Sequence, residues 1–538
     1  MRRSWRIAAI TLFTLVLVLG GLYGDRLLAL TTEARDTLRL YTELVNVAHE
    51  RYGAKVRYSD LVYSSIDGLL RTLDPHTGFL PPEAYQGMRE RQQSTYYGLG
   101  LLVGFRDGQL TVISPMEGTP GARLGIQTGD VISTIDGEST ETLSLDDAVD
   151  RLKGPKGTQV KITVVRRGLD RPLEMTVTRA EIPQTTVRQS YMLTPTTGYV
   201  MITEFSRSTG REVAEAVAKL KDQGMRQLLI DLRNNGGGVL DPAIEISDQL
   251  LPEGSTVVET RGRIRDSFQS YKAEGRFDKV DVPVVVLVNE GSASASEIVA
   301  GAVQDHDRGL IVGTPSWGKG LVQTVYNLSY GAAIALTTAK YYTPSGRLIQ
   351  RDYTSYYDYY THSGAGTPEM LGKTVKEDEI FHTDLGRKVY GGGGITPDVI
   401  IENEEMAPFT QFLLSRNTFF NFAVDYHRRH PVKSVDWKPG PEVLTEFRQW
   451  VAEQSISTTQ ELEKEFADAR LRDQVLLQIR AEVMNSVAGQ EARHRVLAQA
   501  DKQIQTALSQ FDRAAALQAE RKLLEKREER AEKREPLG

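Results

Sequence analysis

Three glycine- or serine-rich stretches carry residue types able to do chemistry. The first, Gly313-Thr-Pro-Ser-Trp-Gly-Lys-Gly320, follows the apolar run Gly309-Leu-Ile-Val. It fits all of the phosphate-loop pattern G-x-x-x-x-G-K-[ST] except the last position, where Gly320 stands in place of the hydroxyl that would hold Mg²⁺. The next residues, Leu321-Val-Gln-Thr-Val-Tyr-Asn-Leu328, read as a strand, whereas a phosphate loop must open a helix whose N-terminal dipole faces the anion. A nucleotide site is therefore disfavoured, and Lys319 needs another role. The second stretch, Val286-Leu-Val-Asn-Glu-Gly-Ser-Ala-Ser-Ala-Ser-Glu-Ile-Val-Ala-Gly301, and the third, Leu228-Leu-Ile-Asp-Leu-Arg-Asn-Asn-Gly-Gly-Gly238, each run from a strand through a turn into a helix. A serine on such a turn is exposed beside backbone N–H groups, as an acyl-transfer nucleophile must be. A glycine turn can aim further amides at an oxyanion.

A lysine serves as a general base only when neutral, so its pKa must fall from about 10.4 toward about 7–8, and desolvation is the available cause. The uncharged neighbours of Lys319 in Trp317-Gly-Lys-Gly-Leu-Val322 suit that. On a strand, Lys319 and Gln323 would share a face, placing the Gln323 amide oxygen to orient the amine. The bland reading of Ser292, Ser294 and Ser296 is helix capping, which Ser296 suits. His306 is the competing base, but it falls at the far end of the helix that the serine turn opens.

These segments need a frame, and 538 residues are enough for three or four domains. A net charge of −6, without a concentration of positive charge, argues against a nucleic-acid binder. The absence of cysteine removes disulfides, thiol nucleophiles and thiolate-bound zinc. Residues 7–24 form an uncharged apolar run behind three arginines and before Asp25, which predicts an uncleaved signal anchor, with a removed signal peptide as the alternative, the N-terminus in the cytoplasm and the remainder outside. Residues 32–92 read as helical until Leu73-Asp-Pro-His-Thr77 interrupts them. A β-rich module follows, with strands predicted at Leu99–Phe105, Leu110–Ile113, Val131–Ile135, Gln159–Val165 and Leu173–Val177, and helices at Pro120–Leu124 and Leu145–Leu152.

From Gly198 onward the pattern alternates. Strands are predicted at Gly198–Ile202, Gln227–Asp231 and Val282–Val288, and helices at Glu212–Gln223, Leu240–Leu251 and Ser296–Asp305, which is an α/β core. Residues 351–390 contain a tyrosine-rich run and read as a surface insertion. Past the linker Trp437-Lys-Pro-Gly-Pro441, a helical tail carries the apolar stripe Leu497, Ala500, Ile504, Leu508, Phe511 and Ala515. That stripe must be covered, and a second copy or an adaptor protein is the expected cover.

The run Ser292-Ala-Ser-Ala-Ser-Glu-Ile-Val-Ala-Gly-Ala302, then Gly318-Lys-Gly-Leu-Val-Gln323, together with Leu73–Thr77, Tyr97-Gly-Leu-Gly100, Tyr341-Tyr-Thr-Pro-Ser-Gly346 and Gly394-Ile-Thr-Pro-Asp398, resembles the carboxy-terminal processing peptidases. These tail-specific proteases are Ser/Lys serine peptidases with a PDZ domain. The resemblance implies Ser294 as nucleophile, Lys319 as base and Gln323 as its partner, with oxyanion amides from Ala295 and from Gly237 or Gly238. It implies a PDZ domain whose loop Tyr97, Gly98, Leu99 and Gly100 holds a peptide carboxylate, and a crotonase/ClpP-like α/β peptidase core. The expected division is an anchor at 1–31, a helical segment at 32–92, the PDZ domain at 93–182, the core at 183–402 and a helical extension at 403–538. Neither metal nor cofactor is implied, and the expected partners are proteins or peptides with free C-termini. The alternative is an inactive PDZ scaffold, which the intact serine and lysine disfavour.

Overall fold

The computed structural model describes residues 34–93, 95–183, 185–354, 379–402 and 404–532. The expected anchor at residues 7–24 lies outside the described residues. Among the described residues, no helix is long and apolar enough to cross a membrane. The chain divides into two compact units, Met1–Tyr85 with Gln323–Thr337, and Gln86–Val322 with Thr338–Gly538.

In the first unit, a helix over residues 34–51 runs beside the helix Tyr58–Leu70. The Tyr41 hydroxyl lies 2.5 Å from Ser65 Oγ, and the His49 ring stacks on Tyr58 at 3.9 Å. The second helix stops before Pro75, where buried Asp74 accepts the N–H groups of His76 and Thr77 at 2.8 Å and the Thr77 hydroxyl at 2.6 Å. This aspartate-led turn starts the short strand Gly78–Leu80, which pairs antiparallel with Ala333–Ala335. The helix thus stops at the Leu73–Thr77 interruption read from the sequence, where the Asp74 turn supplies hydrogen bonds that a helix would otherwise make.

The second unit contains three assemblies. The PDZ-like module has the sheet order Leu101–Arg106, Gln109–Pro115, Val131–Ile135, Gln159–Val165, Leu173–Thr178. It is closed at its base by pairing of Thr95–Gly98 with Ala180–Pro183. Its core of Leu110, Val112, Ile132, Ile162, Val164 and Val177 is covered by the helix Leu145–Leu152.

The α/β core is a six-stranded sheet in the order Val187–Met192, Thr197–Ile202, Gln227–Asp231, Val284–Val288, Gly309–Gly313, Val399–Ile400. All pairs but the first are parallel. Both faces are buried, and the side chains sort by the two-residue period of a strand. Leu228, Ile230, Val284, Val286, Val288 and Ile311 meet the helices Leu240–Leu250 and Ala295–Asp305 on one side. Leu229, Val285, Leu287, Leu310 and Val312 meet Ala498, Ile504, Ala507, Phe511 and Ala514 on the other.

This second face corrects the expectation for the tail. The stripe around Ile504, Leu508 and Phe511 is covered by the chain's own sheet, so it calls for no second copy. Residues 409–497 form a separate helical core around Phe419, Phe422, Phe447 and Val475. The span 351–390 is not all surface excursion either. Ile380–His382 and Lys388–Tyr390 form a hairpin, with Val389 buried and Arg387 paired to Asp307 and Asp398.

Candidate active site

Three neighbouring parallel strands, Gln227–Asp231, Val284–Val288 and Gly309–Gly313, end on the same edge of the sheet. Each leads into one of the three turns singled out in the sequence, so adjacency in the sheet brings the turns together. Ser294 stands at the entry to the helix Ala295–Asp305 with φ 56° and ψ −113°. A non-glycine residue rarely adopts positive φ, and such strain persists only where the surroundings hold it. Here Gly237 lies against it. A Cβ added at Gly237 would come within 2.7 Å of Ser294 Cβ, 2.8 Å of the Ala293 carbonyl oxygen and 3.0 Å of the Ala295 nitrogen.

Buried Glu297 draws the lysine turn to this serine. Its Oε2 accepts the Ser294 N–H at 2.8 Å and the Lys319 N–H at 2.9 Å. Its Oε1 accepts the Gly318 N–H at 2.7 Å and the Ser316 hydroxyl at 2.6 Å. Ser294 and Lys319 therefore share one carboxylate oxygen through their backbones. Burial pushes the Glu297 carboxyl up from its ordinary range, and the four hydrogen bonds oppose that. Because all four groups donate to it, the arrangement is that of a carboxylate.

The Trp317 N–H also donates to the Ser292 carbonyl at 2.9 Å, and the Gly320 N–H to Gln350 Oε1 at 2.9 Å. The Tyr341 hydroxyl donates to the Lys319 carbonyl. The lysine backbone is thus fixed on both sides, with the residue itself half-buried. Lys319 precedes the strand Leu321–Asn327 and is not on it, so alternation along a strand does not apply to the pair Lys319 and Gln323. That a strand follows Lys319 also removes the helix a phosphate loop requires. Gln323 lies on the strand, with Nε2 donating to the His76 carbonyl. The Leu73–Thr77 turn thereby fixes this amide.

The oxyanion amides can be sorted by peptide geometry, since C=O and N–H of a trans peptide point in opposite directions. The Ser294 carbonyl accepts from Glu297 and Ile298 N–H along the helix, so the Ala295 N–H points out of the helix start. The Gly237 carbonyl accepts the Phe205 N–H at 2.9 Å, so the Gly238 N–H points away from Phe205. Gly237 is corrected as a donor, because its N–H donates to Asn235 Oδ1 at 2.9 Å. Asn235 is itself held by its Nδ2 bond to the Ile202 carbonyl at 2.8 Å.

One further sequence reading changes, and the reading against His306 is upheld. The helix starts at Ser294, and the Ser296 hydroxyl donates to the Asn235 carbonyl at 2.8 Å instead of capping. His306 is no base for Ser294, because Nδ1 meets Asp384 at 2.8 Å and Nε2 meets the Thr256 carbonyl at 2.7 Å. Glu297 and Asn235 were not singled out by sequence. Ser294-Ala-Ser-Glu297 is a capping-box signature, which signals the contact from Glu297 to the Ser294 N–H but not the one to Lys319.

Gly237→Ala is expected to reduce turnover by about a hundredfold or more. It should also lower stability by about 1–3 kcal/mol, since φ 95° and the contacts with Ser294 and Ala293 both exclude a methyl group. Peptide hydrolysis and urea unfolding would measure the two effects, and an active, stable variant would contradict this packing.

In the PDZ-like module, the carbonyls of Leu99 and Gly100 accept the N–H groups of Gly121 and Met116 at 2.9 Å. The N–H groups of Gly100 and Leu101 consequently point away from the module's interior. Gly100 has φ 71°, and a Cβ there would strike Thr119. Gly98 and Leu99 are buried and Tyr97 is exposed. The strand Leu101–Arg106 that follows is at the edge of its sheet, beside the helix Leu145–Leu152.

Family models match residues 196–355 as Peptidase family S41, residues 111–166 as a PDZ domain and residues 409–472 as "Probable PDZ-protease, C-terminal helical domain". A carboxy-terminal-processing protease of Bartonella bacilliformis is 40% identical over 294 residues, 54% of this chain and 67% of that one. A carboxyl-terminal-processing protease of Synechocystis is 38% identical over 371 residues, 65% of this chain and 86% of that one. Among solved structures, the photosystem II D1 C-terminal processing protease is 28% identical, over 66% of this chain and 85% of that one, with a TM-score of 0.34. That score is too low for superposition to add an argument. The sheet, the turns and the sequence matches define a serine-type peptidase with a PDZ domain. The chain belongs to the carboxyl-terminal-processing protease family, within peptidase family S41.

Proposed function

We propose that this protein is an extracytoplasmic endopeptidase, tethered to the membrane by residues 7–24, that cuts protein substrates at or near their C-termini. Ser294 Oγ attacks the scissile carbonyl carbon while its proton passes to the neutral Lys319 amine. The amides of Ala295 and Gly238 receive the developing oxyanion. As the tetrahedral intermediate collapses, the C–N bond breaks and Lys319 returns the proton to the leaving amine. Water then attacks the acyl ester, with Lys319 taking a proton and returning it to Ser294 Oγ. The observation that carries this reading is the strained Ser294 backbone, joined through Glu297 to the backbone of Lys319. An inactive scaffold has no use for that strain. A homo-oligomer or adaptor contact through the C-terminal helices belongs to this reading only for their outward faces, since the stripe is already covered.

The PDZ domain would select substrates. A substrate tail would add as a strand beside Leu101–Arg106, with its terminal carboxylate on the Gly100 and Leu101 amides. Charge-assisted bonds of this kind contribute about 1.5–3 kcal/mol. A peptide ending in an apolar residue is therefore expected to be cut about ten- to a hundredfold faster than its C-terminally amidated form at low concentration, chiefly through KM. Equal rates on the two peptides in the intact protein would remove the carboxylate role. Products read by mass spectrometry, with Ser294→Ala as control, test the peptidase activity itself.

A further inference from the structure

The C-terminal extension reaches the glycine turn through one guanidinium. Asp231 ends its strand two residues before Arg233, and the turn Asn234–Gly238 follows directly. Arg233 folds back on buried Asp231, with Nε at 3.0 Å from Oδ1 and Nη2 at 2.7 Å from Oδ2. Its remaining nitrogen, Nη1, points to the extension, where it meets Asp501 Oδ2 and Gln503 Oε1, both at 2.8 Å. Asp501 is held in turn by the Ile504 N–H at 3.0 Å, as the cap of the helix Lys502–Ser509. Gln503 is held by its Nε2 bond to the Ile401 carbonyl at 3.0 Å. On the other side of Asp231, the Tyr199 hydroxyl donates to Oδ2 at 2.7 Å, and the His494 ring of the extension lies 5.3 Å from the Tyr199 ring.

Among the described residues, the side-chain partners of Arg233 other than Asp231 are Asp501 and Gln503, both from the extension. A half-buried guanidinium spanning two carboxylates is rigid because its planar fork matches both at once. From Arg233 the restraint passes along the backbone. The Asn234 N–H donates to Asn289 Oδ1 at 2.8 Å, and the Asn235 N–H to the Leu232 carbonyl at 3.2 Å. The Gly237–Gly238 peptide lies next in the chain.

We propose that Asp501 and Gln503 are positioning residues for the oxyanion amide: through Arg233 they hold the turn that presents the Gly238 N–H, making the C-terminal extension a structural part of the catalytic site. This rests on the peptidase reading above. Neither side chain touches substrate, so their loss acts on turnover and leaves substrate capture intact.

The test uses the full chain with Asp501→Asn, Gln503→Leu and Gln503→Glu. Asparagine keeps the cap through Oδ1 but turns an NH₂ toward the Arg233 guanidinium. Asp501→Asn is expected to lower kcat about tenfold, less than loss of an oxyanion donor itself, with KM within about twofold of the parent. The affinity for a substrate-derived peptide aldehyde, whose adduct carries the oxyanion, should fall by a similar factor. Gln503→Leu should give a smaller loss of the same kind, and Gln503→Glu, which keeps the acceptor for Arg233 but loses the bond to the Ile401 carbonyl, should fall between Gln503→Leu and the parent. Amide hydrogen exchange across residues 232–239 should be faster in Asp501→Asn and Gln503→Leu than in the parent. Unchanged kcat with unchanged exchange in both variants would overturn the proposal, as would a loss confined to KM. If Asp501→Asn does not fold, Gln503→Leu and Gln503→Glu decide by the same readouts. If the parent cleaves no peptide, the peptidase reading fails, and exchange at 232–239 alone decides whether the extension holds the turn.

Discussion

Purified Ser294→Ala and Lys319→Ala are each expected to fall at least about 10⁴-fold in kcat, and the double variant to be no slower than either single one. The reason is that proton removal and attack are a single event, so losing either group removes the whole of it. The backbones of both residues hang from one Glu297 oxygen, at 2.8 and 2.9 Å, which makes that coupling geometric as well as chemical. Lys319→Arg should be as slow as the alanine variant, because a guanidinium cannot act as a neutral base at working pH. Gln323→Ala should reduce the rate less, since an amide exchanges no proton. Single-turnover assays with a peptide substrate would measure these differences. Residual cleavage by Ser294→Ala above the double variant would contradict the assignment of the nucleophile.

The second large effect is expected at Glu297, which touches no substrate in this arrangement. Glu297→Gln keeps the shape but replaces one acceptor oxygen by an NH₂ that donates. Either orientation of the amide confronts donors: Ser294 and Lys319 N–H on one side, Gly318 N–H and the Ser316 hydroxyl on the other. With the NH₂ toward Ser316, that hydroxyl can turn to accept while the Gly318 N–H is stranded, and a buried donor left without an acceptor costs about 1–3 kcal/mol, so a loss of about 1–3 kcal/mol of stability is expected. Turnover should fall by on the order of a hundredfold or more as the lysine turn leaves the serine. Urea unfolding gives the first number and kcat the second. Normal kcat at full stability would show that the carboxylate does not join the two turns.

How much of this could be read in advance depended on the range of the interactions. Val131–Ile135, Gln159–Val165 and Gln227–Asp231 appear with the boundaries read from the sequence, because each is a compact β-type run bounded by turn residues. That the turns bearing Ser294 and Lys319 meet was legible through the spacing of the family motif. The bond from Glu297 to Lys319 was not, since no local pattern tells a capping glutamate that it will meet a second turn. The choice between Gly237 and Gly238 depended on where the neighbouring carbonyls point, and that is decided by Phe205 and Asn235, not by the three glycines. The stripe of the tail was visible as apolar periodicity. What covers it was not, because a helical face specifies only that it be buried, and Tyr191, Leu229, Val285 and Leu310 present an equally apolar partner far upstream.

That upstream partner also sets a timetable for synthesis. The catalytic sheet acquires its last strand at Val399–Ile400, but one of its faces is closed by Ala498, Ile504, Ala507, Phe511 and Ala514. Until those residues leave the ribosome, Leu229, Val285, Leu287, Leu310 and Val312 form an uncovered apolar surface on a nascent chain, the kind of surface that chaperones hold and that aggregates when they do not. A chain interrupted between the last strand and residue 498 would carry Ser294 and Lys319 in full, yet could not bury this face by itself. The order of the polypeptide thus leaves every copy that stops short of residue 498 with this sheet face exposed.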